Sequence, residues 1–171
     1  MTRRGSLFVL TGLGVGLVIV SSLVEPRRIL VWNATASAPR GLYFIVSPSG
    51  LQAGDLVLVQ PDPANAALYA ERGYLPLGVP LLKRVGALGG MPVCEHGGVV
   101  TIEGRHVANA LPIDGQARPM TSWSGCRALS DGEFFALNAD VPTSLDGRYF
   151  GPSLLSSVIG RAIPLWTERE R

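Results

Sequence analysis

Residues 80–88 read PLLKRVGAL, a short apolar run with two adjacent basic residues at its centre. Runs of this length, rich in aliphatic residues and bounded by turn-forming residues, are typical of a β-strand. Side chains alternate between the two faces of a strand, so Lys83 shares a face with Leu81 and Val85 while Arg84 points the other way. The pattern therefore predicts that Lys83 faces the protein interior and Arg84 faces solvent.

Short strands of the same character recur along the chain. They are separated by segments such as SPSGLQAG at 47–54, which supplies a proline and glycines for a connection. Hairpin-like pieces surround Gly97, Gly98 and Gly104. The predicted apolar strands are 42–47, 55–60, 80–88, 132–138 and 158–166.

One short helix interrupts this pattern. Asp62 is a suitable N-cap, Pro63 suits the first turn, and the segment ANAALYAER leads to Gly73, which favours termination. The sequence shows no internal repeat and no low-complexity segment. We therefore predict a mainly β, antiparallel domain with one short helix, beginning at residue 29.

An apolar segment precedes this domain. Residues 7–24 read LFVLTGLGVGLVIVSSLV, eighteen residues without a charge, which would span about 27 Å as a helix. We predict a single N-terminal transmembrane helix within an anchor at 1–28. Arginine pairs at 3–4 and 27–28 flank it, so charge alone does not decide its orientation. A cleaved signal peptide is the alternative, because the small residues at 34–36 resemble a cleavage site.

Charge and composition exclude several classes of protein. The net charge is +2, and the arginines are scattered rather than clustered with aromatic residues, so no nucleic-acid partner is expected. The two histidines and two cysteines lack the close spacing of metal ligands, so no metal or other cofactor is predicted. Cys94 and Cys126 would form a disulfide in an oxidising compartment; two separate core thiols are the alternative.

Lys83 is the single lysine, and all other basic side chains apart from two histidines are arginines. Arginine stays protonated in proteins, whereas burial lets a lysine lose its proton and act as a base. An amine held against aliphatic side chains would be substantially deprotonated near neutral pH and could accept a proton from a serine hydroxyl. A surface lysine on an edge strand and a buried ion pair are the alternatives.

Ser37 is a candidate partner for this base. It lies beside Pro39 in the stretch NATASAPRGLY at 33–43, shortly after the apolar segment. The alternative is an ordinary loop serine. His96 and His106 lie next to glycine-rich turns, where solvated histidines are expected. A Ser/His/Asp triad stays open, although the chain has no GxSxG motif.

Four blocks, in order, make the chain resemble the membrane-anchored Ser/Lys signal peptidases, and within them the TraF-type conjugative transfer signal peptidases. The blocks are SAPRGLY at 37–43, GDLVLVQ at 54–60, LLKRVGALGG at 81–90 and SLDGRYFGP at 144–152. Gly147 stands where a serine is common in the family, and Thr143 where many general signal peptidases have asparagine. These changes, with PRGLY after the serine, favour the conjugative type.

The resemblance implies a role for several positions. Ser37 matches the nucleophile and Lys83 the general base. Thr35 matches a residue whose hydroxyl forms the oxyanion hole with the backbone N–H of Ser37. The remaining matches are supporting residues of the site: Ser144, which touches the lysine, and the pair Asp146 and Arg148. From the residues alone, Asp146 and Arg148 would share one face of an extended segment, where an ordinary surface ion pair is the alternative.

The implied protein is a serine endopeptidase of the bacterial inner membrane. Its signal-peptidase-like β domain, at 29–171, would lie in the periplasm, and its expected substrate is a conjugative pilin precursor, which it would cleave or cyclise. The conjugative transfer apparatus is a further expected partner. Two alternatives are a general signal peptidase that serves many exported proteins and a non-catalytic anchored scaffold of a secretion or conjugation apparatus.

Overall fold

The computed structural model describes residues 11–16, 29–120 and 122–168. Residues 11–16 are helical, and the rest of the predicted membrane segment at 7–24 lies outside the described residues. Within the described ranges, no helix is both long and apolar enough to span a bilayer.

The described part of the domain consists mainly of antiparallel β-strands. The strands are β1 (Leu30–Asn33), β2 (Gly41–Val46), β3 (Leu56–Val59), β4 (Leu81–Leu88), β5 (Pro92–His96), β6 (Val99–Ile102), β7 (Arg105–Asn109), β8 (Gly125–Ala128), β9 (Glu133–Ala136), β10 (Ser153–Leu154) and β11 (Val158–Thr167). The helices of the domain are α1 (Pro63–Glu71) and the single turn α2 (Gly147–Phe150), and a 3-10 turn covers Leu155–Ser157. The predicted mainly β, antiparallel class is confirmed.

The strands form two sheets. The larger has the order β1-β2-β11-β3-β4-β9-β10, and the smaller has the order β7-β6-β5-β8. The five predicted apolar strands correspond to β2, β3, β4, β9 and β11, and the glycine-rich turns join β5 to β6 and β6 to β7. The sequence did not indicate β1, β8, β10 or α2, which are short and depend on partners elsewhere in the chain.

Helix α1 begins and ends as predicted. The side chain of Asp62 accepts hydrogen bonds from the backbone N–H groups of Ala64 and Asn65, both at 3.1 Å, and Pro63 occupies the first turn. Gly73 follows the helix with a φ of 67°, a left-handed conformation that glycine adopts without steric cost.

The centre of the larger sheet is covered on both faces. All four residues of β3 are buried. Leu56 and Leu58 pack into one apolar cluster, whereas Val57 and Val59 pack into another on the opposite face. Because β4 pairs directly with β3, its central residues lie deep in the domain. The sheet therefore provides a dry environment for the one charged side chain that β4 turns inward.

Cys94 and Cys126 are opposite each other on β5 and β8 and form a disulfide. The alternative of two separate core thiols is therefore wrong. The bond joins two neighbouring strands of the smaller sheet, so it fixes β8, whose residues are largely exposed, to the body of the domain.

Candidate active site

The loop between β1 and β2 carries Ser37 and is held by Asn33. The Asn33 amide donates to three backbone carbonyls, at 3.1 Å to Thr35, 3.0 Å to Ala38 and 3.1 Å to Pro39. The hydroxyl of Tyr43 donates to the same Pro39 carbonyl at 2.6 Å. The buried side chain of Asn33 thus binds three backbone groups of the loop, and the backbone at Ser37 has little freedom to move.

Gly41 ends this loop where β2 approaches β11. Its φ is 152°, and a Cβ added there would lie 2.1 Å from the carbonyl oxygen of Trp166. Any larger residue would push β2 away from β11. The glycine therefore anchors the loop of Ser37 to the larger sheet.

Ser37 is half-buried, and its Oγ lies 3.1 Å from Oγ1 of Thr35. Thr35 Oγ1 also donates to Oδ1 of Asn33 at 2.8 Å. Because the threonine hydroxyl donates its hydrogen to Asn33, the Ser37 hydroxyl is the donor in the bond between the two hydroxyls. The two hydroxyls expected to act together are therefore adjacent.

Lys83 is buried on β4, at 2% exposure, opposite Val57 of β3. Val85 is also buried, whereas Arg84 is exposed, so the predicted orientations of the two basic residues are confirmed. Burial lowers the pKa of Lys83 from 10.5 to about 8; the charge of Asp146 raises this pKa and that of Arg148 lowers it. At pH 7 roughly one tenth of the Lys83 side chains are therefore neutral. Lys83 is thus substantially deprotonated only near pH 8, not at pH 7 as the sequence suggested.

Ser144 is the direct partner of this amine. The Nζ of Lys83 donates to Oγ of Ser144 at 2.8 Å, and both side chains are buried. The contact implied by the family resemblance is thus present in the structure.

Ser37 and Lys83 line the same cleft, together with Thr35 and Ser144. Within residues 29–120 and 122–168, no hydrogen bond joins Ser37 to Lys83 directly: the hydroxyl pairs with Thr35 and the amine with Ser144. The cleft has a volume of about 630 Å³. Its apolar walls include Leu30, Trp32, Leu58, Leu75, Val79, Leu82, Val141 and Leu145. The cleft is large enough for several residues of a polypeptide and mostly apolar in character.

Asp146 and Arg148 form a buried ion pair, with Arg148 Nε 2.8 Å from Oδ1 of Asp146. The expectation of an extended segment is wrong, because Asp146 caps α2 and Arg148 lies within that helix. The alternative of a surface pair is also wrong, because Arg148 is 1% exposed. Arg148 also donates to the carbonyls of Pro142 at 3.0 Å and Asn138 at 2.9 Å. The pair therefore fixes the loop between β9 and α2, which carries Ser144.

Gly147 allows α2 to pack closely against β9. A Cβ at this position would lie 2.7 Å from the carbonyl oxygen of Ala136 and 2.8 Å from the ring of Phe135. The ring nitrogen of Trp123 donates to the Gly147 carbonyl at 2.9 Å. The glycine that replaces the serine common in the family is thus required here by the close approach of the two backbones.

Two asparagines of the site were not predicted from the sequence. Asn33 holds the Ser37 loop, and Asn138, two residues after β9, donates from its amide to the carbonyls of Ser37 and, at 3.2 Å, Leu82. Its Oδ1 accepts from the N–H of Arg84 at 2.9 Å. The available signal was a polar residue at the end of an apolar strand in GEFFALN, which by itself does not indicate a partner far along the chain.

The chain is similar to several known proteins. Residues 2–166 match the family described as signal peptidase, peptidase S26. A probable conjugal transfer protein TraF of Sinorhizobium fredii is 39% identical, over 76% of this chain and 73% of its own length. The conjugal transfer protein TraF of Agrobacterium fabrum is 34% identical, over 98% of each chain. The plasmid transfer protein TraF of Escherichia coli is 32% identical, over 78% of this chain and 82% of its own.

Among solved structures, a signal peptidase I from Enterococcus faecalis aligns with 67% of this chain and 98% of its own length, at 20% identity and a TM-score of 0.39. The family match spans nearly the whole chain, and the TraF relatives exceed 30% identity over most of it. This chain therefore belongs to the S26 family of signal peptidases, within which it resembles the TraF-type conjugal transfer proteins.

Proposed function

We propose that this chain is a membrane-bound serine endopeptidase with Ser37 as nucleophile and Lys83 as general base, and that it processes a conjugative pilin precursor. One observation carries the proposal: the single lysine of the chain is buried, has a pKa lowered to about 8, and lines the same cleft as Ser37. A buried amine with a pKa near the working pH is suited to accept and return a proton.

The reaction begins when neutral Lys83 takes the proton of the Ser37 hydroxyl. This step requires the amine to turn from Ser144 toward Ser37. The serine oxygen then attacks the scissile carbonyl carbon, and negative charge develops on the carbonyl oxygen. Thr35 Oγ1–H and the backbone N–H of Ser37 would donate to that oxyanion, which requires the Thr35 hydroxyl to turn away from Asn33.

Collapse of the tetrahedral intermediate breaks the peptide bond. The Lys83 ammonium gives its proton to the leaving amine, and an ester links the substrate acyl group to Ser37. Lys83, neutral again, then activates either water or an amine of the substrate. Water yields a linear, cleaved protein, whereas an amine yields a new peptide bond and a circular product.

The curated relatives support conjugation as the setting, since their names describe conjugal or plasmid transfer proteins. In conjugation, a pilin precursor would be a substrate that reaches the membrane surface. An anchor close to the Ser37 loop would hold the cleft beside the bilayer, where the effective concentration of an emerging substrate is high.

The surface of β1 and β11 supports a domain that lies against the membrane. Leu30, Trp32, Leu165 and Trp166 are all exposed, and the rings of Trp32 and Trp166 stack with centroids 5.7 Å apart. Exposed tryptophans and aliphatic side chains are typical of a membrane interface. Leu30 and Trp32 follow the predicted membrane segment at 7–24 closely in the chain, and Trp166 of β11 lies beside Trp32. The domain would therefore lie against the membrane surface, and the family resemblance favours the periplasmic side of the inner membrane.

This location can be tested with the full chain in vesicles that contain brominated phospholipid. The protein has three tryptophans, so a Trp123→Phe variant reports on Trp32 and Trp166, and a Trp32→Phe, Trp166→Phe variant reports on Trp123. Bromine should quench the tryptophan fluorescence of the Trp123→Phe variant. The fluorescence of the Trp32→Phe, Trp166→Phe variant should stay nearly unchanged. Equal quenching of both, or of neither, would contradict the proposed location.

The enzymatic role is tested by Ser37→Ala and Lys83→Arg in cells that produce a conjugative pilin precursor. Lys83→Arg keeps a positive charge but removes the base, so precursor should accumulate in both variants. Arg84→Lys on the same strand is the matched control and should process normally. Normal pilin maturation in the Ser37→Ala strain would contradict the proposed enzymatic function and favour a scaffold role. If the variants instead accumulate many unrelated exported precursors, the chain is a general signal peptidase.

Mass spectrometry of the mature pilin distinguishes the two outcomes of the second step. A circular product is lighter by one water than the linear product cut at the same site. The measurement compares pilin from cells with the wild-type chain and with Ser37→Ala.

A further inference from the structure

Asn138 contacts every segment that carries a residue of the proposed site. It lies between β9 and α2, is 5% exposed, and is far from Ser37 and Lys83 along the chain. The three segments involved are the Ser37 loop, strand β4 with Lys83, and the loop that carries Ser144. No other described residue has side-chain hydrogen bonds to both the Ser37 loop and β4.

The side chain of Asn138 joins the first two segments. Its Nδ2 donates one hydrogen to the carbonyl of Ser37 itself and the other to the carbonyl of Leu82. Its Oδ1 accepts from the N–H of Arg84. Leu82 and Arg84 are the two neighbours of Lys83, so the amide holds the β4 backbone immediately before and after the lysine.

Asn138 itself lies at the start of the third segment, and its backbone binds the ion pair at the other end of that loop. Its N–H donates to Oδ2 of Asp146 at 3.0 Å, and its carbonyl accepts from Nη2 of Arg148 at 2.9 Å. That buried ion pair fixes the loop carrying Ser144, whose hydroxyl binds the Lys83 amine.

We infer that Asn138 is the positioning residue that sets the separation between the Ser37 hydroxyl and the Lys83 amine. The bond to the Ser37 carbonyl restrains the backbone torsion of the nucleophile residue, and the bonds around Lys83 fix the strand from which the amine extends. An amide fits this task because it offers two donors and an acceptor in one plane. This inference rests on the proposed function.

Two variants test the inference. Asn138→Ala removes all three side-chain hydrogen bonds, and Asn138→Asp keeps the size and the acceptor toward Arg84 but loses the two N–H donors. A misplacement of about 1 Å costs on the order of 100-fold in rate, so we expect each variant to lose at least tenfold in kcat with KM changed less than threefold. Asn109→Ala and Asn109→Asp, at an exposed position on β7, are the matched controls and should keep wild-type rates.

The rate must be expressed per reactive serine, because partial unfolding alone would lower only the number of working molecules. We would measure processing of a pilin precursor by the full chain in detergent, and count active sites from covalent labelling by a fluorophosphonate, with Ser37→Ala as the blank. Circular dichroism would verify that each variant is folded.

Rates per active site within threefold of wild type for both variants across pH 7–10 would overturn the inference, as would equal losses in the Asn109 controls. If Ser37→Ala itself processes precursor, the proposed function fails instead. The two failures are thus distinguishable.

Discussion

The buried amine of Lys83 donates to the buried hydroxyl of Ser144 across 2.8 Å, although the two residues are 61 positions apart in the chain. The bond gives the amine a fixed direction within an otherwise apolar part of β4. It also provides an acceptor that favours the protonated form of the amine.

Ser144→Ala removes that acceptor. We expect the apparent pKa of Lys83 to fall, because the ammonium loses a hydrogen bond, and the maximal rate to fall about tenfold or more, because the amine loses its orientation. A pH–rate profile measures both. Ser157→Ala, which removes an exposed hydroxyl bonded only to a backbone carbonyl, is the control; an unchanged profile for Ser144→Ala would contradict the role.

The rate of the wild-type protein should depend on pH through Lys83. In the proposed mechanism Lys83 can act as a base only when it is neutral, and its neutral fraction rises with pH through a pKa of about 8. Below this value kcat/KM should rise about tenfold per pH unit, and above it the rate should level off. Lys83→Arg should show no such rise at any pH. A plateau that already begins at pH 6 would contradict the assignment.

Lys83 should also lower the stability of the fold. Its pKa is about 8 in the folded protein and near 10.5 when solvated, so between these values the unfolded chain binds more protons and stability increases with pH. The cost of the buried charge is fully present below pH 8. Lys83→Met should therefore raise the free energy of unfolding by about 1–3 kcal/mol at pH 7, after allowing for the lost bond to Ser144.

Urea unfolding at pH 7 and pH 10.5 measures this effect. The advantage of Lys83→Met should shrink at the higher pH, where the wild-type lysine is neutral in the folded state and about half neutral in the unfolded state. A variant less stable than wild type at pH 7 would show that the lysine contributes net stability, contrary to the expectation.

Asp146→Ala should destabilise the domain strongly. It leaves the guanidinium of Arg148 buried without its charge partner, which typically costs about 3–5 kcal/mol. Loss of the negative charge should also lower the pKa of Lys83, because Asp146 raises it in the wild type. Denaturant unfolding and the pH–rate profile measure the two effects. Glu133→Ala, which breaks a partly exposed pair with Arg127, is the control and should cost much less.

Reduction of the Cys94–Cys126 disulfide should affect stability more than activity. The bond closes a segment with a sequence separation of 32, for which a loss of about 3–4 kcal/mol is typical. None of the cleft residues lies on β5 or β8, so a Cys94→Ser, Cys126→Ser variant should keep its kcat per active site at a temperature where it is folded. A large loss of that rate would indicate that the smaller sheet shapes the cleft.

Several features of the fold followed directly from local sequence. Short apolar runs bounded by turn-forming residues marked β2, β3, β4, β9 and β11, and the capping residue Asp62 marked the start of α1. The inward orientation of Lys83 followed from strand alternation alone. These features were predictable because they depend on residues within one element.

Features that depend on distant residues were not predictable in the same way. Strand β1 has only four residues and exists because it pairs with β2. Asp146 and Arg148 are two apart in sequence, and only the packing of α2 against β9 makes them a buried pair instead of a surface one. Asn138 showed no sign of its role, because its partners lie 101 and 56 positions away.

The sequence by itself singled out the proposed base, since the chain has a single lysine among arginines and burial can deprotonate a lysine but not an arginine. It also determined that this lysine lies on a strand and faces inward. Only the tertiary structure decided how closely the base, the hydroxyls of Ser37 and Ser144, and the asparagines come together. The reason is that periodicity sets the face of a strand locally, whereas the distance between side chains on different elements depends on how the whole sheet packs and pairs.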